Sequence, residues 1–184
     1  MLTRISSLIL LIILSPLLIV IAILILIFDV SPVIFVQKRV GKNSDFFNLY
    51  KFRTMKTDTP NVATRLLENL DQHLTRTGGF LRKFSLDEFP NLFNMIKGDM
   101  GFVAPRPVLS SESELVELRK KGGVDKLLPG LTGPAQINGK KDLPPELKVK
   151  YEIEYIENKT LLLDIDIILK TTAHVLFRGD VSPK

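Results

Sequence analysis

Apolar residues run almost unbroken from Ile5 to Phe28, ISSLILLIILSPLLIVIAILILIF, and nothing ionisable lies between Arg4 and Asp29. A straight helix of that length reaches about 36 Å, enough to cross a hydrocarbon core of about 30 Å. A cleaved leader is the alternative, but the run is long and no small-residue cleavage site follows it, so the segment is expected to stay attached. Ser15-Pro16 falls in its middle. Proline removes one backbone donor and crowds the carbonyl four residues earlier, and a serine hydroxyl can satisfy the carbonyl so freed. Taken alone, these residues slightly favour a kinked spanning helix. The other reading is a re-entrant helix that turns back at Ser15-Pro16, leaving Arg4 and the rest of the chain on one face.

Beyond Asp29 the pattern changes. PVIFVQKRV and FFNLYKFRTM are β-prone runs separated by GKNSD, which predicts a hairpin. VATRLLENLDQHL has apolar residues at Val62, Leu66, Leu70 and Leu74, which predicts a helix ending at the glycines of TRTGG. FLRKF is a short helical piece, NLFNMIK is helical up to Gly98, and the prolines of APRPV force extended backbone. SESELVELRKK reads as a helix closed by Gly122-Gly123, and LPGLTGPAQINGKKDLPP as a long loop of the kind that carries function. Two helices end the chain, PELKVKYEIEYIENK and LLLDIDIILKTTAHVLF. The second carries Leu162, Ile165, Leu169 and Leu176 along one stripe, expected to face the core rather than a membrane. The fold class is therefore α+β and mostly helical: one membrane-associated domain with an apolar N-terminal helix, a β-hairpin and amphipathic helices. The boundary falls between residues 1–29 and 30–184.

Composition narrows the chemistry. The 184 residues carry a net charge of +5, suited to an anionic membrane surface or a phosphate-bearing ligand. No basic stripe interleaved with aromatics is present, which argues against nucleic acid. There is no cysteine, so disulfides and thiolate metal sites are excluded, and the two histidines, His73 and His174, lack a zinc spacing. Any metal is expected to be Mg²⁺ held by carboxylate and substrate phosphate.

The candidate chemistry centres on SLDEFP, residues 85–90. Ser85 with Glu88 three residues later fits a capping box, and Asp87 would suit the first turn of the helix that follows. The competing reading starts from the cations Lys51, Arg53, Arg82, Lys83, Arg106, Lys140 and Lys141, on loops or element ends that could converge. Cations gathered near Asp87 would keep it ionised. An ionised carboxylate can serve as a nucleophile toward phosphorus or as a metal ligand, provided its own charge and the substrate's are neutralised.

YKFRTM, LRKFSLDEFPNLFNMIKGDMGFVAPRP and PGLTGPAQING, in this order, resemble the bacterial sugar transferases known as monotopic phosphoglycosyl transferases. The resemblance runs from the apolar segment to the last helix and looks like the minimal catalytic form. It implies that Asp87 attacks the β-phosphate of a UDP-sugar, releasing UMP, and that undecaprenyl phosphate then takes the phosphosugar from the aspartate. It further implies that Glu88 helps bind Mg²⁺, that Lys51, Arg82, Arg106 and Lys140 contact phosphate, and that Ser15-Pro16 breaks a re-entrant helix. Each cation also has an ordinary reading. Lys51 on a strand could be solvated, and Arg82 could pair with Glu88.

Further expectations follow from the same resemblance. The catalytic domain would lie on the cytoplasmic face of the bacterial inner membrane, among membrane lipids, and would start a surface glycan such as a capsule. The sugar would be an N-acetylated amino sugar, and a homodimer is compatible with the family. Ala104, Pro134 and Lys140 depart from the family's usual glycine, tryptophan and arginine. The rival functions are a membrane-anchored interaction module, in which Asp87 and Glu88 only cap a helix, and a nucleotide-sugar hydrolase.

Overall fold

The computed structural model describes residues 1–29, 32–60, 62, 67–138 and 143–178. It is α+β and mostly helical, as the hydropathy pattern predicts. The chain divides into two compact units, Met1–Gln37 with Asn48–Gly98, and Lys38–Phe47 with Asp99–Lys184. Strands β1 (Ile34–Val40) and β2 (Phe46–Phe52) form the expected hairpin, joined by a tight turn in which Asn43 and Ser44 both take positive φ.

The first unit is organised by α1 (Leu2–Phe28), a 27-residue helix that continues through Pro16. Pro16 has no N–H to give the Ile12 carbonyl, and the Ser15 hydroxyl donates to that carbonyl instead, at 2.7 Å. The unit's other helices are α2 (Leu70–His73), α3 (Gly78–Lys83) and α4 (Asn91–Lys97). Within the predicted helix over 62–74 only α2 is helical among the described residues; residues 61 and 63–66, Leu66 included, lie outside them.

Both ends of α1 are fastened to this unit. Near its start, the Ser7 hydroxyl donates to Met95 Sδ of α4 at 3.4 Å, both residues being fully buried. The Arg4 guanidinium lies where a side chain on Gly98 would stand. Gly98 has φ +95 and closes α4, and a cation there complements the carbonyl end of that helix. Further along, Ile21 and Ile25 form a core with Phe52 and Leu81, joined by Leu18, Ala22, Val33 and Leu86. At the far end the Asp29 carboxylate accepts from the N–H of Arg76 at 2.7 Å and from the N–H and hydroxyl of Thr77. Much of the rest of α1, including Ile12, Ile13, Ile19 and Ile27, is exposed.

Asn94 fixes α4 to the hairpin. It is fully buried, its amide donates to the Asn48 carbonyl at 2.7 Å, and its Oδ1 accepts from the Tyr50 N–H at 3.1 Å. The side chain thus satisfies a donor and an acceptor on β2, two residues apart.

The second unit contains α5 (Ser113–Lys121), α6 (Pro134–Asn138), α7 (Pro145–Glu157) and α8 (Leu161–Arg178). Its strands β3 (Gly101–Val103) and β4 (Gly130–Thr132) pair in parallel, with Gly101 opposite Gly130 and Val103 opposite Thr132. The segment expected to be one long loop therefore contains β4 and α6. Pro134 opens α6, where the missing N–H costs nothing because a helix start leaves that donor unpaired anyway. One core gathers Val108, Leu115, Val124 and Val149; another gathers Val103, Tyr155 and Ile167. The Tyr155 hydroxyl donates to Asp164 at 2.7 Å, and burial together with that carboxylate pushes the phenol well above its ordinary pKa.

The stripe on α8 corrects the expectation made from its spacing. Ile167 is the fully buried residue and Leu163 packs beside it, while Leu162, Ile165, Leu169 and Leu176 face outward. The helix has a narrow core seam at a different angle, and its wider apolar stripe is left uncovered.

Replacing Asn94 with leucine removes both of these part-buried hydrogen bonds, to the Tyr50 N–H and the Asn48 carbonyl, at roughly 1 kcal/mol for each. A lowered thermal midpoint in detergent is the expected outcome.

Candidate active site

The acid pair is not part of a regular helix. After α3 the chain passes through Ser85, with φ 53, into a single 3-10 turn over Leu86–Glu88, and α4 begins only at Asn91. Ser85 makes no capping hydrogen bond through its side chain, so the capping box suggested by Ser85 and Glu88 does not form. The left-handed serine is the physical reason. It turns the chain sharply after α3 and sets the two carboxylates on a turn of their own. Leu86 packs into the core built on Ile21 and Ile25, which fastens this turn to α1.

Asp87 is 8 % exposed. Glu88 is oriented by Lys51, whose ammonium donates to Oε1 at 2.7 Å, with both side chains mostly buried. The sequence offers Arg82 as the partner of Glu88 and leaves Lys51 solvated or on phosphate; the structure pairs Lys51 with Glu88. Lys51 arrives from β2, the strand whose backbone Asn94 holds from α4. The site in the first unit is therefore built by three elements, β2, the 86–88 turn and α4. Asn94 is a positioning residue that sequence reasoning missed. Its signal was a polar residue amid the apolar positions of NLFNMIK. Arg82, in the last turn of α3, is partly buried and lies in the same unit.

Of the remaining cations, Arg106 belongs to the second unit and Lys140 lies outside the described residues. The backbone around Arg106 is closely packed. A side chain on Gly130 would run into the backbone N and O of Ala104, and one on Gly133 into its carbonyl. Those glycines of PGLTG are thus required for contact with the segment leading into Pro105-Arg106-Pro107. Ala104, in the place of the family's glycine, donates its N–H to the Thr132 carbonyl at 2.9 Å and extends the β3–β4 pairing by one bond.

Among the described residues no group of three histidine or acidic side chains is gathered for a metal ion. The donor set at 87–88 is two adjacent carboxylates. Mg²⁺ retains water and binds through one or two carboxylates completed by substrate phosphates, so these residues fit a magnesium ion brought in with a diphosphate, not a resident one in a protein cage.

The family described as bacterial sugar transferase matches residues 1–178. An undecaprenyl-phosphate galactose phosphotransferase of Salmonella typhimurium is 39% identical over 168 residues, which cover 82% of this chain and 34% of that protein. An undecaprenyl-phosphate glucose phosphotransferase of Komagataeibacter xylinus is 36% identical over 186 residues, 94% of this chain and 34% of that protein. The exopolysaccharide production protein ExoY of Rhizobium meliloti is 37% identical over 188 residues, 90% of this chain and 80% of that protein. The chain thus spans about a third of the length of the first two relatives and most of the third. With the family matched across nearly the whole sequence, the chain belongs to the bacterial sugar transferases.

Proposed function

We propose that this protein transfers a sugar-1-phosphate from a UDP-sugar to undecaprenyl phosphate at a membrane surface, as an early step in surface-glycan synthesis. The observation that carries the reading is the attachment of the acid pair to the apolar helix. Leu86, the residue before Asp87, packs into the core that Ile21 and Ile25 of α1 build. A reactive carboxylate held against a membrane helix suits a reaction between a soluble nucleotide sugar and a lipid-borne phosphate. The relatives' names, which specify undecaprenyl-phosphate sugar phosphotransferases, point the same way.

In the first step an Asp87 carboxylate oxygen attacks the β-phosphorus of the donor. A carboxylate O–P bond forms, the bond from that phosphorus to the bridging oxygen breaks, and UMP leaves with the electron pair. In the second, an oxygen of undecaprenyl phosphate attacks the same phosphorus and Asp87 leaves, which gives a lipid diphosphosugar. Splitting the transfer in two lets each anionic substrate meet the site separately. Glu88 and the donor diphosphate would hold Mg²⁺, which supplies neutralising charge. Lys51 orients Glu88 and stands ready to meet phosphate charge, and Arg82 adds a second cation of the same unit. Arg106 is read as a contact to the donor's phosphates. The donor sugar is read as an N-acetylated amino sugar.

We further infer a topology in which α1 enters and leaves the membrane on the cytoplasmic side. Its Arg4 end and its Asp29 end are both held by the same unit, which suits a helix that does not carry its start to the far side. The exposed apolar stripe of α8 suits contact with lipid.

Four outcomes are expected. Intact-mass measurement after mixing protein, Mg²⁺ and a panel of UDP-sugars without lipid should show a phosphosugar adduct mapping to Asp87. Asp87→Asn should abolish it, and turnover retained in that variant removes the nucleophile. Lys51→Met should lower UMP release by about 10²-fold or more, the scale of losing a preorganised charge from a reacting centre. For the topology, the chain's lack of cysteine makes a single Thr3→Cys informative. In intact cells a membrane-impermeant maleimide should leave it unlabelled, whereas labelling from the periplasm would restore the spanning helix.

A further inference from the structure

The segment Pro105-Arg106-Pro107 can offer only one backbone N–H, because its prolines have none. Its fixing therefore falls on its carbonyls, and each of the three meets a donor from a different element of the second unit. The Pro105 carbonyl accepts from the Gly130 N–H of β4 at 2.9 Å. The Arg106 carbonyl accepts from Arg119 Nη1 of α5, also at 2.9 Å. The Pro107 carbonyl lies 3.5 Å from Arg39 Nη1 of β1, a long contact.

Arg119 is the strongest of the side-chain donors, and its guanidinium is itself immobilised. Nε donates to Glu152 Oε2 at 2.8 Å and Nη2 to Oε1 at 2.5 Å, a bidentate fork across α5 and α7. The glutamate is 2 % and the arginine 11 % exposed. A buried pair of this kind is a weak source of stability, since an apolar pair of similar volume serves as well. What an apolar pair cannot do is present a third, rigidly aimed N–H to a neighbouring backbone. That remaining arm is spent on the one non-proline residue of the segment.

We infer that Arg119, anchored by Glu152, is a positioning residue for the donor half of the reaction. By holding the Arg106 carbonyl it fixes the backbone from which the Arg106 side chain meets the donor's phosphates. This rests on the reading of Arg106 given above. A positioning role of this kind is directional. It concerns the nucleotide sugar and leaves the lipid acceptor's step alone.

In a two-step covalent reaction, kcat/KM for each substrate reports its own half-reaction, so the roles can be separated. The variant of choice is the double replacement Arg119→Met with Glu152→Leu, which keeps α5 packed on α7 without stranding a charge and removes the arm. It is expected to lose about tenfold in kcat/KM for the UDP-sugar, the scale of one well-placed hydrogen bond. The value for undecaprenyl phosphate should stay within about twofold on the same scale. Adding Arg106→Ala should cost no more than Arg106→Ala alone, because both act through one contact.

If the double replacement melts early, Arg119→Lys decides instead. It keeps the ion pair, gives up the third arm, and must show the same donor-selective loss. Unchanged donor kinetics in a folded variant overturn the inference, and so do equal losses for both substrates, the mark of a general structural role. Unchanged donor kinetics in Arg106→Ala would remove the reading of Arg106 and this inference with it. No UMP release from the wild-type protein with any donor would instead strike at the reaction proposed above, so the failures are distinguishable.

Discussion

The burial of Ile21 and Ile25 against Phe52, Leu81 and Leu86 is the contact on which the first unit depends. An apolar helix of this length has two ways to satisfy its side chains, protein or lipid. Here it divides them, giving a narrow stripe to the protein and leaving the remainder exposed. Burial of apolar area is worth about 25 cal/mol per Å² and has no direction of its own. Direction comes from the polar fastenings at the ends, Arg4 over Gly98 and Asp29 on the turn before α3. With those in place the stripe has one register, and the acid pair is carried at a defined point along the helix by Leu86.

Both units solve the same problem with the same device, a polar side chain that satisfies backbone groups of another element. In the first, Asn94 supplies both halves of an amide's hydrogen bonding to β2 and so brings Lys51 to Glu88. In the second, Arg119 reaches the proline-flanked segment at 106. Neither residue needs to touch substrate. Each is placed where the side chains assigned to phosphate chemistry sit on backbone that would otherwise lack a full set of partners. Neutral amides and guanidinium forks suit this because their donors are fixed in a plane.

How much of this was legible in the sequence depends on how local each cause is. The hairpin, α5 and α7 follow from alternation, helical spacing and terminal glycine or proline, all within a few residues of where they act. Two readings of SLDEFP stayed open because the capping pattern is local while its competitor is not. Glu88 meets Lys51 from 37 positions earlier, and Ser85 adopts a positive φ that its own side chain gives no hint of. The strand at Gly130–Thr132 was hidden for the same reason, since its pairing is with Gly101–Val103. On α8, spacing found the apolar stripe but not what covers it, because the core seam runs along Leu163 and Ile167 at another angle. The two positioning residues were the least legible. A polar residue within an apolar run marks Asn94, whereas nothing in SELVELRKK separates Arg119 from the lysines beside it.

The serine at position 15 changes what the proline beside it means. Taken by itself, a proline halfway along an apolar helix leaves a carbonyl that asks for water, and water is what the surroundings of such a helix exclude. The Ser15 hydroxyl answers that demand from within the chain. The midpoint of the helix is thus mechanically weakened without being made wet. Of the two residues it is then the serine, the less conspicuous one, that a dry environment makes expensive to lose.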